Sequence, residues 1–374
     1  MPGNVSIMHV GDVHAGYRQY GYVRRALDIE DALRRIVDAA VAQKVDLVVF
    51  PGDLYDSTHP PPETVLVVRA EVNRLRSAGI GVFAIDGNHD MSGSSWMRLS
   101  DIGPGTEVLQ TEHGFAYRRL QWQGFTMVGF DYMRASQIKA ALQDWALAGT
   151  KADVLVLHQG IFEAAPHMDA GELSTKDILA VARPAGVRYV AMGHYHDFKM
   201  FSEDGVVFCY PGSIERTAVN EAAEKKVALV SLERGASTAP SVELVRIPGR
   251  PFAGFDIRSE EDVEKFREFL DAAVDVPFVH ARYDSSMPDV AARLEAAIGG
   301  RFMFRFVPDT AVDPGDGMEW AKEAASESLT DLVSRSYAGD TAEHELILQL
   351  LANPGNLANI VKAFLKGRGL ELSI

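Results

Sequence analysis

Five apolar runs in this chain end alike, each passing into a short polar loop of metal-ligating residue types. "VSIMHVGDVHAG" delivers Asp12 and His14, "DLVVFPGDLYD" delivers Asp53 and Asp56, and "GVFAIDGNHD" delivers Asn88, His89 and Asp90. "DVLVLHQG" brings His158, and "RYVAMGHYH" brings His194 and His196. A short unbroken apolar run bounded by turn formers reads as a strand covered on both faces. Helical stretches with apolar residues at i, i+3, i+4 spacing, "IEDALRRIVDAAVAQK" and "PETVLVVRAEVNRLRSAG", separate the first three runs. Strands alternating with helices predict an α/β layered domain, to which "FTMVGF" and "GVVFCY" add two more strands. In an open α/β sheet, the loops at the carboxyl ends of the strands share one crevice. The five polar loops are therefore expected to converge.

Their chemistry follows from counting donors. Asp12, His14, Asp53, Asn88, His158, His194 and His196 make seven, leaving His89 and Asp90 aside. One ion takes about four to six ligands, so seven with one shared carboxylate suit two divalent ions. Imidazole and oxygen donors without thiolate fit manganese, iron or zinc and hardly fit calcium. Two such ions about 3.5–4 Å apart clamp a phosphoryl group and supply hydroxide near neutral pH. That is phosphoester hydrolysis by in-line attack. The other histidines, His9 inside a strand and His59, His113, His167, His280 and His344 outside the motifs, read as structural or surface groups.

Composition sets further bounds. The one cysteine among 374 residues, Cys209, excludes an internal disulfide and a thiolate zinc cluster, and its run "GVVFCYPG" marks it as core. Neither a signal-peptide pattern nor an apolar run of membrane-spanning length is present, so a cytoplasmic protein with no membrane partner is expected. The 37 basic and 52 acidic residues give a net charge of −15, which argues against nucleic acid unless a local basic strip or bound cations offset it. A boundary is expected in "RIPGRP", dividing residues 1–248 from a small strand–helix–strand–helix–strand unit over 249–309. In that unit Ser259 is placed as an N-cap with Asp262 as its partner. In "RFMFRF" the Phe302, Phe304 and Phe306 face reads as core, and the Arg301 and Arg305 face as lying along a duplex or in solvent. Residues 310–374 read as an acidic linker followed by two amphipathic helices.

The ordered motifs DxH, GDxxD, GNHD, H and GHxH resemble the signature of the calcineurin-like metallophosphoesterases. "DVHAGYRQYG", "GDLYDSTHPPPETV", "LHQG" and "YPGSIER" are similar to those of the DNA double-strand-break repair nucleases of the Mre-eleven and SbcD type. The resemblance implies a four-layer α/β/β/α sandwich with a small α/β capping domain and C-terminal helices. It implies that Asp12, His14 and His196 hold one ion, Asn88, His158 and His194 the other, with Asp53 bridging and Mn2+ the expected metal. His89 would face the scissile phosphate, and Asp90 would orient its imidazole or serve only the turn. Asp56 stands where many archaeal and eukaryotic members carry His or Asn and bacterial members Asp, which leaves the exonuclease–endonuclease balance open.

Partners follow from the same resemblance. DNA, as duplex ends and single strands, would meet Tyr17, Arg18 and Tyr20 of "GYRQYG" together with Arg216; a purely structural loop is the alternative. A homodimer would form through Val65, Leu66, Val68, Val72 and Leu75, whose plainer role is core packing. A coiled-coil ATPase of the Rad-fifty or SbcC type would bind the last helix through Leu357, Ile360, Val361, Phe364 and Leu365, or that helix would fold back on the capping domain. The protein would then be cytoplasmic and nucleoid-associated. Two other functions compete: a phosphodiesterase or phosphatase for non-DNA substrates on the same scaffold, and a DNA-end scaffold with little hydrolysis of its own.

Overall fold

A computed structural model describes residues 3–310, apart from 90–104, 165–172, 234, 236, 237 and 275. Asp90, His167 and the five apolar residues of the last helix lie outside the described residues. The chain lays down β1 (Asn4–His9), α1 (Val23–Gln43), β2 (Leu47–Pro51), α2 (Pro62–Ser77) and β3 (Gly81–Ile85). There follow β4 (Thr106–Gln110), β5 (Ala116–Trp122), β6 (Phe125–Phe130), α3 (Ala135–Leu147), β7 (Val154–His158) and α4 (Thr175–Ala185). Next come β8 (Tyr189–Gly193), β9 (Lys199–Glu203), β10 (Val206–Tyr210), β11 (Lys225–Glu233) and β12 (Ser241–Ile247). The last described elements are β13 (Phe252–Ile257), α5 (Glu260–Ala272), β14 (Phe278–Tyr283), α6 (Val290–Ile298) and β15 (Met303–Pro308).

Two sheets pack face to face. One runs β12-β11-β1-β2-β3, the other β4-β5-β6-β7-β8-β10-β9. Val5, Ile7, Val49, Phe83 and Ile85 of the first meet Met127, Val156, Tyr189 and Cys209 of the second in a shared apolar layer. On its outer face the first sheet carries α1 and α2, through Ile29, Leu33, Val65, Val68, Val72 and Leu75. Across the molecule α3 and α4 cover the second sheet, with Trp145, Ile178 and Val181 in that core. The architecture is the expected α/β/β/α sandwich. Strands β2, β3, β7, β8 and β10 are buried along their whole length, because each has a helix on one face and the other sheet on the opposite one. That is why their sequences are unbroken apolar runs.

Beyond Ile247 the three parallel strands β13-β14-β15 form a separate sheet with α5 and α6 as crossovers. Phe266, Leu270, Val279, Leu294 and Ile298 make its core. Ser259 caps α5 by accepting from the Asp262 N–H, as expected. Polar contacts join this capping sheet to the body. The Tyr22 hydroxyl donates to the Phe304 carbonyl (3.1 Å) and accepts from the Phe304 N–H (3.2 Å). Arg250, in the connecting segment, donates two bonds to Asp28 of α1 (2.5 and 2.6 Å), and Arg25 donates a third (2.7 Å). Residues as far as Ala311 accordingly form one compact unit, within which the expected boundary near residue 248 is a change of sheet.

Four residues of the proposed dimer stripe, Val65, Val68, Val72 and Leu75, are buried in the core of the first sheet, while Leu66 is 68% exposed. Cys209 is buried, as expected. No helix among the described residues is long and apolar enough to cross a membrane.

Candidate metal centre

The parallel strands β1, β2 and β3 of one sheet and β7 and β8 of the other end at the same edge of the sandwich, and their loops meet there. The imidazole Nε2 atoms of His14 and His196 lie 3.0 Å apart. Asp53 Oδ2 is 3.7 Å from His14 Nε2 and 3.2 Å from His158 Nε2, which puts one carboxylate oxygen between the two halves of the centre. Asn88 Oδ1 is 3.0 Å from His158 Nε2 and 3.3 Å from His194 Nδ1. Asp12 Oδ1 accepts from the His194 N–H (2.8 Å).

Backbone geometry accounts for the convergence. His14, Asp53 and His194 all have positive φ, at 50°, 49° and 94°. L-residues seldom hold that region, and such strain concentrates at functional sites. Gly52, at φ 97°, precedes Asp53, and a Cβ there would lie 2.5 Å from His158 Nδ1. Gly87 lies against the bridging carboxylate itself, since a Cβ would stand 2.2 Å from Asp53 Oδ1. These glycines are fixed by close approach to the ligands.

The donor set fits a pair of cations. Asp12 Oδ2 is buried and has no hydrogen-bond partner, an arrangement that is costly for a carboxylate oxygen unless a cation meets it. Ligand atoms of Asp12, His14 and His196 lie within 4.8 Å of one another, as do those of Asp12, Asp53 and His158. Outer partners fix which imidazole nitrogen is available. His158 Nδ1 donates to the Pro51 carbonyl (2.8 Å), which leaves Nε2 as the nitrogen facing Asp53. His196 Nδ1 faces Thr217 Oγ1 (2.8 Å) and Glu221 Oε1 (3.0 Å), both acceptors. Burial opposes charge on His158, but Asp53 beside it and Asp12 nearby carry its pKa up to about 10. A cation at that point competes with the proton, so its affinity rises with pH.

His89 sits at the mouth, exposed. Its N–H donates to Asp53 Oδ1 (2.9 Å), and its Nδ1 donates to the Asp56 carbonyl (3.0 Å). Its ring lies edge-on to His14 with centroids 4.8 Å apart, and its ligand atom also closes a group with His14 and Asp53 within 4.8 Å. The Asp56 carboxylate is 3.3 Å from His14 Nδ1, so it touches the centre from outside.

Residues 5–198, more than half of the chain, match the family model for calcineurin-like phosphoesterases. The chain belongs to the calcineurin-like phosphoesterase family. As a calcineurin-like phosphoesterase it is a dimetal phosphoester hydrolase, and the convergent loops bring together residue groups that could hold metal ions. Among curated relatives, a "DNA double-strand break repair protein Mre11" of Haloferax volcanii is 31% identical over 70% of this chain and 57% of its own length. Relatives of the same description from Archaeoglobus fulgidus and Sulfurisphaera tokodaii are 30% and 26% identical, over 58% and 71% of this chain and 51% and 69% of theirs. The chain thus spans between about half and about two thirds of the length of these relatives. A dimetal phosphatase from Danio rerio aligns at a TM-score of 0.44 and 13% identity, over 65% of this chain and 99% of its own.

The residues expected to meet DNA are placed less uniformly than the metal ligands. Arg18 is exposed. Tyr17 is half-buried and donates to the Thr217 carbonyl (3.4 Å), and Tyr20 lies between Phe278 and the Arg305 guanidinium, 4.3 Å from its ring centroid. Arg305 is therefore half-buried against Tyr20, whereas Arg301 of the same run is exposed. Arg216 donates to the Glu221 carbonyl (3.0 and 2.5 Å) and stands 4.6 Å from the Phe252 ring centroid. Its guanidinium is half-buried and engaged by these two groups.

Sequence reasoning passed over Glu221, Thr217 and Tyr132. Tyr132 stacks on His194 with ring centroids 6.2 Å apart. Glu221 stands in "NEAAEKK", which reads as a solvated charge run, and no local pattern marks it as buried.

Proposed function

We propose that this calcineurin-like phosphoesterase is a manganese-dependent nuclease acting on DNA ends, in the repair of double-strand breaks. The observation that carries the hydrolytic part is Asp53 Oδ2 standing between His14 Nε2 and His158 Nε2, with His89 at the open side. The repair role draws on the description shared by the curated relatives. Bound divalent ions supply Lewis acidity toward the phosphoryl oxygens and a hydroxide near neutral pH. The chain supplies the rest. Asp12, His14, His196 and Asp53 would hold one ion, and Asn88, His158, His194 and Asp53 the other. Because the Asp56 carbonyl can only accept, His89 Nδ1 keeps its proton and Nε2 remains for the substrate. Protonated there, His89 steadies the phosphoryl charge and gives its proton to the leaving oxygen.

The same reading includes a coiled-coil ATPase partner, met by Leu357, Ile360, Val361, Phe364 and Leu365 of the C-terminal segment, and DNA contact at Arg18. The net charge of −15 favours the second reading, a phosphodiesterase for small substrates. One assay separates them. The full chain with Mn2+ is given linear duplex, circular single strand, hairpin DNA and bis-p-nitrophenyl phosphate side by side. The nuclease reading expects cleavage of the DNA substrates at low enzyme concentration. Turnover of the small diester with every DNA intact overturns it.

A further inference from the structure

Behind the metal ligand His196, the buried carboxylate of Glu221 collects six donors. Oε1 accepts from His196 Nδ1 (3.0 Å), the Ala218 N–H (3.1 Å) and the Thr217 hydroxyl. Oε2 accepts from Lys225 Nζ (2.5 Å), the Ser213 hydroxyl (3.0 Å) and the Thr217 N–H (3.2 Å). Lys225 in turn donates to the His196 carbonyl (3.1 Å), so the Glu221–Lys225 pair grips the ligand by ring and by backbone. Thr217 Oγ1, which gives its own proton to Glu221, lies 2.8 Å from the same His196 Nδ1, so hydroxyl and carboxylate both accept there and leave the lone pair of His196 on Nε2, the atom 3.0 Å from His14 Nε2.

The segment that carries Glu221 is also tied to the capping sheet. Arg216 donates to the Glu221 carbonyl (3.0 and 2.5 Å) and lies over Phe252, the first residue of β13, 4.6 Å from its ring centroid. One residue earlier, Glu215 accepts from the Arg250 N–H (3.1 Å) of the connecting segment. From the capping sheet to the ion site, the path runs Phe252, Arg216, Glu221, His196.

We propose that Glu221 is a positioning residue for His196, fixing the imidazole for the ion held with Asp12 and His14, and that Arg216 couples this hold to the capping sheet. The proposal rests on the two-ion reading of the centre. Its prediction is asymmetric. The site of Asn88, His158 and His194 has its own outer partners and should not respond.

The test is Mn2+ titration of the full chain by calorimetry, with bound-ion counts from electron paramagnetic resonance and a thermal melt of each protein. A Glu221→Ala, Lys225→Met double variant removes the pair without leaving a buried charge alone. Glu221→Gln with Lys225→Met keeps an acceptor oxygen for His196 Nδ1 and serves as the rescue. The parent is expected to bind two ions. In the alanine double variant one ion should weaken by about 10–100-fold, the usual loss when such an outer partner is removed, while the other stays. The glutamine double variant should recover most of that loss, and Arg216→Met should weaken the same ion by a few-fold. Equal binding by the alanine and glutamine variants, or equal weakening of both ions in a protein that melts as the parent does, overturns the proposal. A parent that binds one ion or none sinks the two-ion reading instead.

Discussion

At the residue scale, His89 separates catalysis from ligation. Its ring is close enough to His14 and Asp53 to serve as a ligand, yet its Nδ1 is committed to the Asp56 carbonyl and the ring is exposed. His89→Asn should bind two Mn2+ and cleave about 10²–10⁴-fold more slowly, the usual contribution of an acid–base group; a titration one ion short would make it a ligand. Gly87→Ala should act in the opposite way. The new Cβ would press on Asp53 Oδ1, so ion binding and turnover should fail together in the same titration. The seven candidate ligands were readable because each follows an apolar strand, but Gly87 reads only as a turn former, its constraint being a carboxylate from another loop. His9 gives a pH dependence away from the centre. Buried in the core and sharing a 2.8 Å hydrogen bond with the Tyr189 hydroxyl, it has its pKa depressed by burial to about 3, against the opposing bond to Met192. The unfolded chain therefore takes up the proton first, and the stability held above about pH 6.5 declines as pH falls toward about 3. Between pH 7 and pH 5 this group alone should remove about 2 kcal/mol, and His9→Gln should flatten the urea-unfolding profile by that amount.

At the element scale, strands were legible in proportion to their burial. The fully covered β2, β3, β7, β8 and β10 announce themselves as apolar runs, and each begins or ends within a residue or two of its expected place. Strands β4, β5, β9, β11 and β12 do not: β4, β9 and β12 lie at sheet edges and face water on one side, while β5 and β11, inside their sheets, break their apolar residues with charged and polar ones. The α2 stripe shows the converse: it was legible, but nothing in its spacing distinguishes a core face from a dimer face. The junction with the capping sheet is where sequence says least and ionic contacts matter most. Asp28 binds Arg250 from the connecting segment and Arg25 from its own helix, with its side chain 7% exposed. Asp28→Ala takes the carboxylate from Arg250, while Arg25 keeps Glu215 (3.3 Å), and should cost about 3–5 kcal/mol, as removal of one buried partner does. Arg250→Ala, which leaves Asp28 still paired with Arg25, should cost about 1.5–3 kcal/mol. Urea unfolding of both variants orders the two, and equal losses would show that Arg250 alone holds the junction.

At the scale of the whole molecule, the proposed substrate and the chain carry the same sign of charge. A net charge of −15 repels a polyanion at long range, so attraction has to be local. Two sources are at hand. Arg18 is exposed beside the loop that carries Asp12 and His14, and the paired ions, once bound, turn the acidic floor of Asp12 and Asp53 into a cationic one. Arg216, half-buried, is held by the Glu221 carbonyl and the Phe252 ring. DNA binding by this chain should consequently depend on metal as well as on salt. Fluorescence anisotropy of a labelled duplex end, with Mn2+ and the cleavage-slow His89→Asn protein, checks both at matched ionic strength. Chelation should weaken binding at low salt, and affinity should fall steeply as salt rises, with a log–log slope set by the phosphates contacted. Arg18→Ala should reduce that slope by about one, the signature of a single lost phosphate contact. If affinity is indifferent to chelation and the slope is unchanged in Arg18→Ala, DNA is held by another surface, and the ion centre does not draw in its own substrate.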